Sequence, residues 1–252
     1  MSEIKKSNPK KRMKRLPDDV IIIDEVVPVV KTLQTEDLGK IFEMAICMLY
    51  DTPFDGKYKY SIDEAQLLRS RIEPLLSVFP HKIKHTAKNG NQYDFCGIED
   101  ESIKLSAKTT KKDGKFCPQV IGQPSKKKFS EFFSIDMSLT LEEIKTHIET
   151  NVKNMLYIYF DLTFDCPIIY YNKKTNILQL IKVITKIEWN DYLVEFSHIK
   201  KSKKWGESST ISINNVTIGE FQVHNHRDCI KFRWAFENVL KVFTDSFEII
   251  NL

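Results

Sequence analysis

Leu38, Ile41, Phe42, Ala45, Ile46 and Leu49 recur at intervals of three and four, the apolar stripe of a helix running from near Thr35 to Tyr50. Thr35 is a plausible N-cap, with Glu36 and Asp37 in the first turn. Glu43 falls off the middle of the stripe. A second helix is predicted from about Ser61 to Val78, ending before Pro80. The pattern then changes. Tyr93–Ile98 and Ile103–Lys108 read as two short strands joined by the acidic turn Glu99-Asp100-Glu101. A loop from Thr109 to Gln123 carries Gly114, Pro118 and Gly122, and a short helix starts at Pro124-Ser125. Leu141–Asn154 is helical, with Ile144, Ile148 and Val152 on one face. Met155–Phe160 is an unbroken apolar run that suits a strand buried on both faces.

The last third is β-rich. Ile168–Tyr171 and Ile177–Ile184 form one hairpin. Thr210–Ile213 and Val216–His224 form another about Asn214-Asn215, residues that tolerate positive φ. Phe221 and Val223 share one face and Glu220, Gln222 and His224 the other, whereas Val216 and Ile218 have the polar set's parity, so a bulge is expected near Gly219. A third strand, Cys229–Phe236, follows the turn Asn225–Asp228, and a helix overlaps its end. The result is an antiparallel meander.

With 252 residues, 42% of them hydrophobic, the chain can bury a real core, which excludes global disorder. No apolar run reaches membrane-span length and no signal peptide is read at the N-terminus. Five cysteines without a Cys-x-x-Cys pair point to a reduced, intracellular protein. Residues 1–15 hold seven basic side chains against Glu3, a charge of +6, so the rest carries about −2 of the net +4. Residues 1–19 are expected to be a flexible basic tail, either a targeting signal, a nonspecific DNA-binding arm or simply solvated. Residues 20–252 are expected to form one domain, with a catalytic core over about 35–160 and a β-rich part over about 165–252.

The chemistry is carried by the strand pair. Asp94 lies opposite in parity to Tyr93 and Phe95, and Ser106 and Lys108 share a face. Adjacent strands would bring Asp94, Ser106 and Lys108 together, with the Ala107 carbonyl as a further oxygen and Glu43 as a second carboxylate. A carboxylate for a hard cation beside a lysine for phosphate or water suits metal-dependent phosphodiester cleavage. The bland alternative is a solvated hairpin with ordinary charges. Lys111, Lys112, Lys115 and Lys126–Lys128 form a basic rim suited to phosphates. The meander presents Gln222, His224, Arg227, Lys231 and Arg233 on a polar front, opposite Ile230, Phe232 and Trp234; such a front either reads DNA or is merely solvated. Lys200-Lys201-Ser202-Lys203-Lys204 and Trp205 fit a DNA-contacting arm or a surface loop over a tucked tryptophan. His224 and His226 lack a third ligand at a zinc-site spacing, so no zinc site is expected there.

Asp94, then Leu105-Ser106-Ala107-Lys108-Thr109, Cys117-Pro118-Gln119-Val120-Ile121-Gly122-Gln123, and finally Glu220–His224 with Ile230–Trp234 resemble type II restriction endonucleases of the PD-(D/E)xK nuclease superfamily. The likeness extends from about Leu38 to the C-terminus at separated motifs. It implies an α/β (α+β) fold with a central mixed sheet flanked by helices, Mg²⁺-dependent cleavage of double-stranded DNA, and a homodimer. Asp94 would be the metal carboxylate and Lys108 the catalytic lysine, with Gln119, Gln123, Lys126 and Lys204 joining the ribbon in contacting DNA. Two departures stand out. Tyr93 replaces the proline of the motif, and Ser106 occupies a position where an acid is usual, leaving Glu43 or Glu131 to supply it. Two other readings use the same residues: a structure-specific repair or recombination nuclease, and a noncatalytic DNA-binding protein with a degenerate core.

Overall fold

The apolar stripe folds as α1 (Thr35–Leu49) in the computed structural model, which describes residues 35–87, 91–111, 114–118, 125–226 and 229–252. The 1–19 segment, Gln119, Gln123 and Arg227 lie outside the described residues. Ser61 caps α2 (Ile62–Arg71) by accepting the Glu64 N–H at 3.2 Å. The single helix expected as far as Val78 is two: Pro74 has no N–H and its ring crowds the preceding turn, so α3 (Leu75–Val78) starts afresh.

Four strands follow, β1 (Ile83–His85), β2 (Phe95–Gly97), β3 (Lys104–Thr110) and β4 (Lys115–Phe116). Ser125 caps α4 (Lys126–Phe133). A capping box, Thr140 with Glu143, opens α5 (Leu141–Phe164). The run Met155–Phe160, expected as a strand, is the middle of this helix. Met155, Leu156, Tyr159 and Phe160 continue the spacing of Ile144, Ile148 and Val152, and the helix is apolar over much of its circumference because it is buried deep in the core. Then come β5 (Ile168–Asn172), β6 (Ile177–Val183), β7 (Glu195–Phe196), α6 (Ser197–Lys200), β8 (Ser208–Ile213), β9 (Val216–Val223), β10 (Ile230–Ala235), α7 (Phe236–Val242) and β11 (Phe247–Asn251).

These strands form two sheets. The first has the order β1-β2-β3-β5-β6-β11 and is mixed: β3 and β5 run parallel, across the α5 crossover, and the other neighbours are antiparallel. The second, β4-β10-β9-β8-β7, is antiparallel throughout. A central mixed sheet flanked by helices, with an antiparallel meander, is the expected fold class.

β5 shows the layering at residue scale. Ile169 and Tyr171 pack with α1 and α2, while Ile168 and Tyr170 point into the core shared with α5 and the second sheet. The meander has the expected phase change. Ile211 pairs with Gly219 but Ser212 pairs with Thr217, so Ile218 is the extra, bulged residue. Gly219 is required because a Cβ there would lie 2.4 Å from the Phe232 ring. Asn214 and Asn215 take φ of 49° and 64° in the hairpin turn.

Candidate active site

The β2–β3 ladder reaches as far as Phe95 opposite Leu105, and Asp94 sits where the two strands part. The Asp94 carbonyl accepts the Thr86 N–H at 2.8 Å, tying this segment to the end of β1. Its side chain turns inward, and Oδ2 accepts the Ala107 N–H at 2.8 Å. Ser106 directs its own N–H the other way, to Pro167 O at 3.0 Å. Backbone groups alternate in direction along a strand, so the Ala107 carbonyl lies on the Asp94 side with its N–H. Lys108 shares a face with Ser106, and its Nζ is 3.6 Å from Asp94 Oδ2. The two side chains are 19% and 20% exposed, so the pair lines a surface recess rather than the interior. Asp94, the Ala107 backbone and Lys108 therefore meet at one fork in the sheet.

Ser106 is fully buried beneath the fork, and its hydroxyl bonds the Cys166 side chain. Burial pushes the Cys166 thiol up to about 12, which keeps it protonated and unreactive at neutral pH. Tyr93, standing where the motif has proline, has a structural role that its sequence position did not signal. Its phenol donates to Asp165 Oδ2 at 2.5 Å, and Gln92 Nε2 donates to the same oxygen at 2.7 Å. Asp165 ends α5, so the residue before Asp94 is anchored to the crossover helix. Burial raises the Asp165 pKa, against the lowering effect of the Tyr93 bond.

Glu43 is buried and belongs to a second network. Its Oε2 accepts from His85 Nε2 at 3.0 Å and Lys40 Nζ at 2.7 Å. The Asp55 N–H donates to His85 Nδ1 at 2.9 Å, which leaves the ring proton on Nε2, facing Glu43. The ring stacks on Phe54 at 4.4 Å between centroids. Burial alone would raise the Glu43 pKa, but the bonds from His85 and Lys40 outweigh it and hold the carboxyl low. His85 pairs across the ladder with Phe95, the neighbour of Asp94. Among the described residues, no hydrogen bond or ion pair joins Glu43 to Asp94 or Lys108, and none engages Glu43 Oε1. Glu131 is exposed on α4, 3.9 Å from Lys127.

The expected polar front of the meander exists, and it is tightly paired. Glu220 Oε2 accepts from Arg233 at 2.7 Å and Lys115 at 3.0 Å. Glu220 and Lys231 are each 8% exposed. The apolar back is as expected, with Phe221, Phe232 and Trp234 fully buried. Cys117 connects the two regions. Burial raises its pKa, while the charges of Lys231, Arg233 and Lys108 act in the opposite sense, so three cations lie within electrostatic reach of one thiol. Gln222 pairs with Lys231 across the ladder. Lys126 opens α4. Lys204 belongs to another region: it is 3.7 Å from Glu142 at the first turn of α5, roughly 35 Å along the helix from Asp165 at 1.5 Å per residue. Trp205 is buried at 4%, the tucked arrangement. The His224 side chain is 10% exposed beside Glu207. All five cysteines are free, and no helix among the described residues is long and apolar enough to cross a membrane.

No protein-family model matches the chain, and no solved structure matches it. Over 218 residues it is 50% identical to the type II restriction enzyme CviAII of Paramecium bursaria Chlorella virus 1, an alignment covering 86% of this chain and 63% of that protein. The chain thus spans less than two thirds of the length of the curated relative it matches.

Proposed function

We propose that the chain is a sequence-specific endonuclease of the type II restriction class, hydrolysing phosphodiester bonds of double-stranded DNA with Mg²⁺. The observation that carries this reading is the fork where Asp94, the Ala107 backbone and Lys108 converge. The identity to a type II restriction enzyme supports it. The donor set suits Mg²⁺, which takes oxygen ligands, one or two carboxylates, and keeps several waters. Asp94, the Ala107 carbonyl and the unengaged Oε1 of Glu43 would hold the ion, which when bound acidifies a water and neutralises phosphate charge.

The protein's own part is positioning and charge. Asp94 is fixed before any ligand arrives, because Ala107, Thr86 and the Tyr93 anchor hold both its side chain and its backbone. Lys108 reaches a phosphate oxygen or the attacking water and stabilises the negative charge that develops on the phosphate. His85 is a positioning residue that orients Glu43. Ser106, buried against Cys166, fills the usual acid position without ligating. Gln222 and Arg233 would face the duplex from the second sheet beside the buried Lys231, with Gln119, Gln123, Lys126, His224 and Arg227 completing the contact and Lys204 touching DNA further along. A single such centre cuts one strand, so a twofold homodimer accounts for cutting both strands of a symmetric site.

The test is to incubate the chain with mixed unmodified plasmid DNA, with and without Mg²⁺. Discrete fragments are expected. A smear, or cleavage confined to branched DNA, would replace this reading with a structure-specific nuclease. Stoichiometric binding without cutting would leave a degenerate core that only binds.

A further inference from the structure

Glu207, His224 and His226 each present a ligating atom, and the three atoms lie within 4.8 Å of one another. The sequence hides the third member, because Glu207 precedes the pair by an entire hairpin. The second sheet brings it back. Ser208 pairs with Gln222, and the Val223 N–H donates to Glu207 O at 2.8 Å, which sets Glu207 beside the end of β9. His224 follows β9 directly, and its N–H donates to Cys229 O at 3.1 Å across the turn to β10. The two oxygens of Glu207 are shared out. Oε1 is 2.5 Å from His226 Nδ1, and Oε2 is 3.6 Å from His224 Nδ1.

Two ligands bound to zinc at about 2.0–2.1 Å in a tetrahedral array stand roughly 3.3 Å apart. Each histidine lies near that distance from one of the two Glu207 oxygens, and all three ligating atoms fall within 4.8 Å, close enough for side-chain adjustment to bring them around one ion. Two imidazoles and one carboxylate are a donor set that zinc takes with its fourth position open. His226 and Glu207 are open to solvent at 65% and 44%, while His224 is 10% exposed and offers its Nδ1 from the buried side. We propose that Glu207, His224 and His226 bind one Zn²⁺ and thereby pin the end of the β9–β10 hairpin to the start of β8. His224 lies two residues beyond Gln222, which pairs with Lys231, so the metal braces the end of the ribbon's polar front. The zinc site itself does not depend on the nuclease reading, because it predicts metal binding whether or not the chain cuts DNA.

The experiment uses the full chain stripped with a chelator and titrated with Zn²⁺ against a chromogenic competitor, with melting curves in parallel. One Zn²⁺ per chain is expected. At a free concentration 100-fold above its dissociation constant, it should raise the melting temperature by about 5–10 °C. His226→Ala and Glu207→Gln should each weaken binding by more than tenfold and abolish the shift, while Asp94→Asn keeps both. Cobalt(II) should give tetrahedral d–d bands without thiolate charge transfer. The proposal fails if no zinc binds, if His226→Ala binds normally, if Asp94→Asn loses the zinc, or if a thiolate band shows that cysteines hold the metal.

Discussion

Asp94→Asn tests the fork most directly. Asparagine has the same shape, and its carbonyl oxygen can still accept the Ala107 N–H that Asp94 accepts at 2.8 Å. What disappears is the charge. A hydrogen bond to a charged group is worth about 1.5–3 kcal/mol against about 0.5–1.5 for a neutral one, so this bond loses about 1–1.5. The Lys108 pair, with side chains 19% and 20% exposed, adds at most about 1 kcal/mol after solvent screening. At about 2–4 °C per kcal/mol for a domain near this size, the melting temperature should fall by about 2–10 °C and folding should remain cooperative. Activity should suffer far more. Losing an outer partner of a metal ligand typically costs about 10–100-fold, so losing the carboxylate itself should exceed about 100-fold. Cleavage of plasmid DNA under single-turnover conditions, measured beside a melting curve, separates the two effects. Near-normal cutting would show that the catalytic carboxylate lies elsewhere. A variant that no longer folds would show that Asp94 is structural.

Lys108→Ala should lower the cleavage rate by about 100-fold or more at nearly unchanged DNA affinity, the scale of removing one donor from a developing anion; a gel-shift titration beside the cleavage assay checks it. Glu43→Gln should cut less well than wild type but better than Asp94→Asn, and it should change the acid limb of stability. The folded Glu43 carboxyl is held below its ordinary value of 4.5, so its contribution is present above pH 4.5 and lost as pH falls through the lowered folded value; melting curves from pH 6 to pH 3 should therefore be flatter for the variant, and parallel curves would refute the network. Gln222→Ala should weaken cognate binding by roughly tenfold or more, the scale of one bidentate base contact, with little loss of stability. Trp234→Ala should cost about 3–5 kcal/mol, because the ring is fully buried and its Nε1–H donates to Thr163 at 2.9 Å; if Gln222→Ala melts early and Trp234→Ala melts normally, the ribbon is inside out.

Periodicity made the first helix, the Asp94–Lys108 strand pair and the meander with its bulge legible, because each buries one face and leaves the other polar. It failed where burial surrounds an element. Met155–Phe160 carries no alternation for this reason, and only its continuity with Ile144, Ile148 and Val152 distinguishes helix from strand. The site divides in the same way. The proximity of Asp94 to Lys108 was readable because Asp94 directly precedes β2, the ladder neighbour of the strand that carries Lys108. The Glu43–His85 bond spans 42 residues and the Tyr93–Asp165 bond 72, and no local pattern encodes either. Glu207 escaped notice for the same reason. The pairing of Glu220 with Arg233 and Lys115 was also hidden, since Arg233 and Lys115 were read as cations for DNA and phosphate rather than as partners of a carboxylate.

The chain passes from the strand that carries Lys108 directly to the edge of the sheet that carries Lys231 and Arg233. β3 carries Lys108, ends at Thr110, and the chain reaches β4 at Lys115. There β4 joins the edge of the second sheet, with Phe116 opposite Trp234. Gly114, just before β4, is held in place. Gly114 takes a φ of 58°, its N–H donates to Thr110 Oγ1 at 3.2 Å, and its carbonyl accepts the Phe236 N–H at 2.9 Å. A side chain there would be strained by φ and would meet the Tyr170 hydroxyl at 3.4 Å. Tyr170 and Asn172, on the strand parallel to β3, both donate to Glu237 at the start of α7, which follows β10. The strand bearing the lysine and the strand bearing Lys231 and Arg233 are therefore fastened at a common corner. On the proposed reading, the bonds at Thr110–Gly114 and at Glu237 would hold Lys108 and β10 in a fixed relation on one duplex.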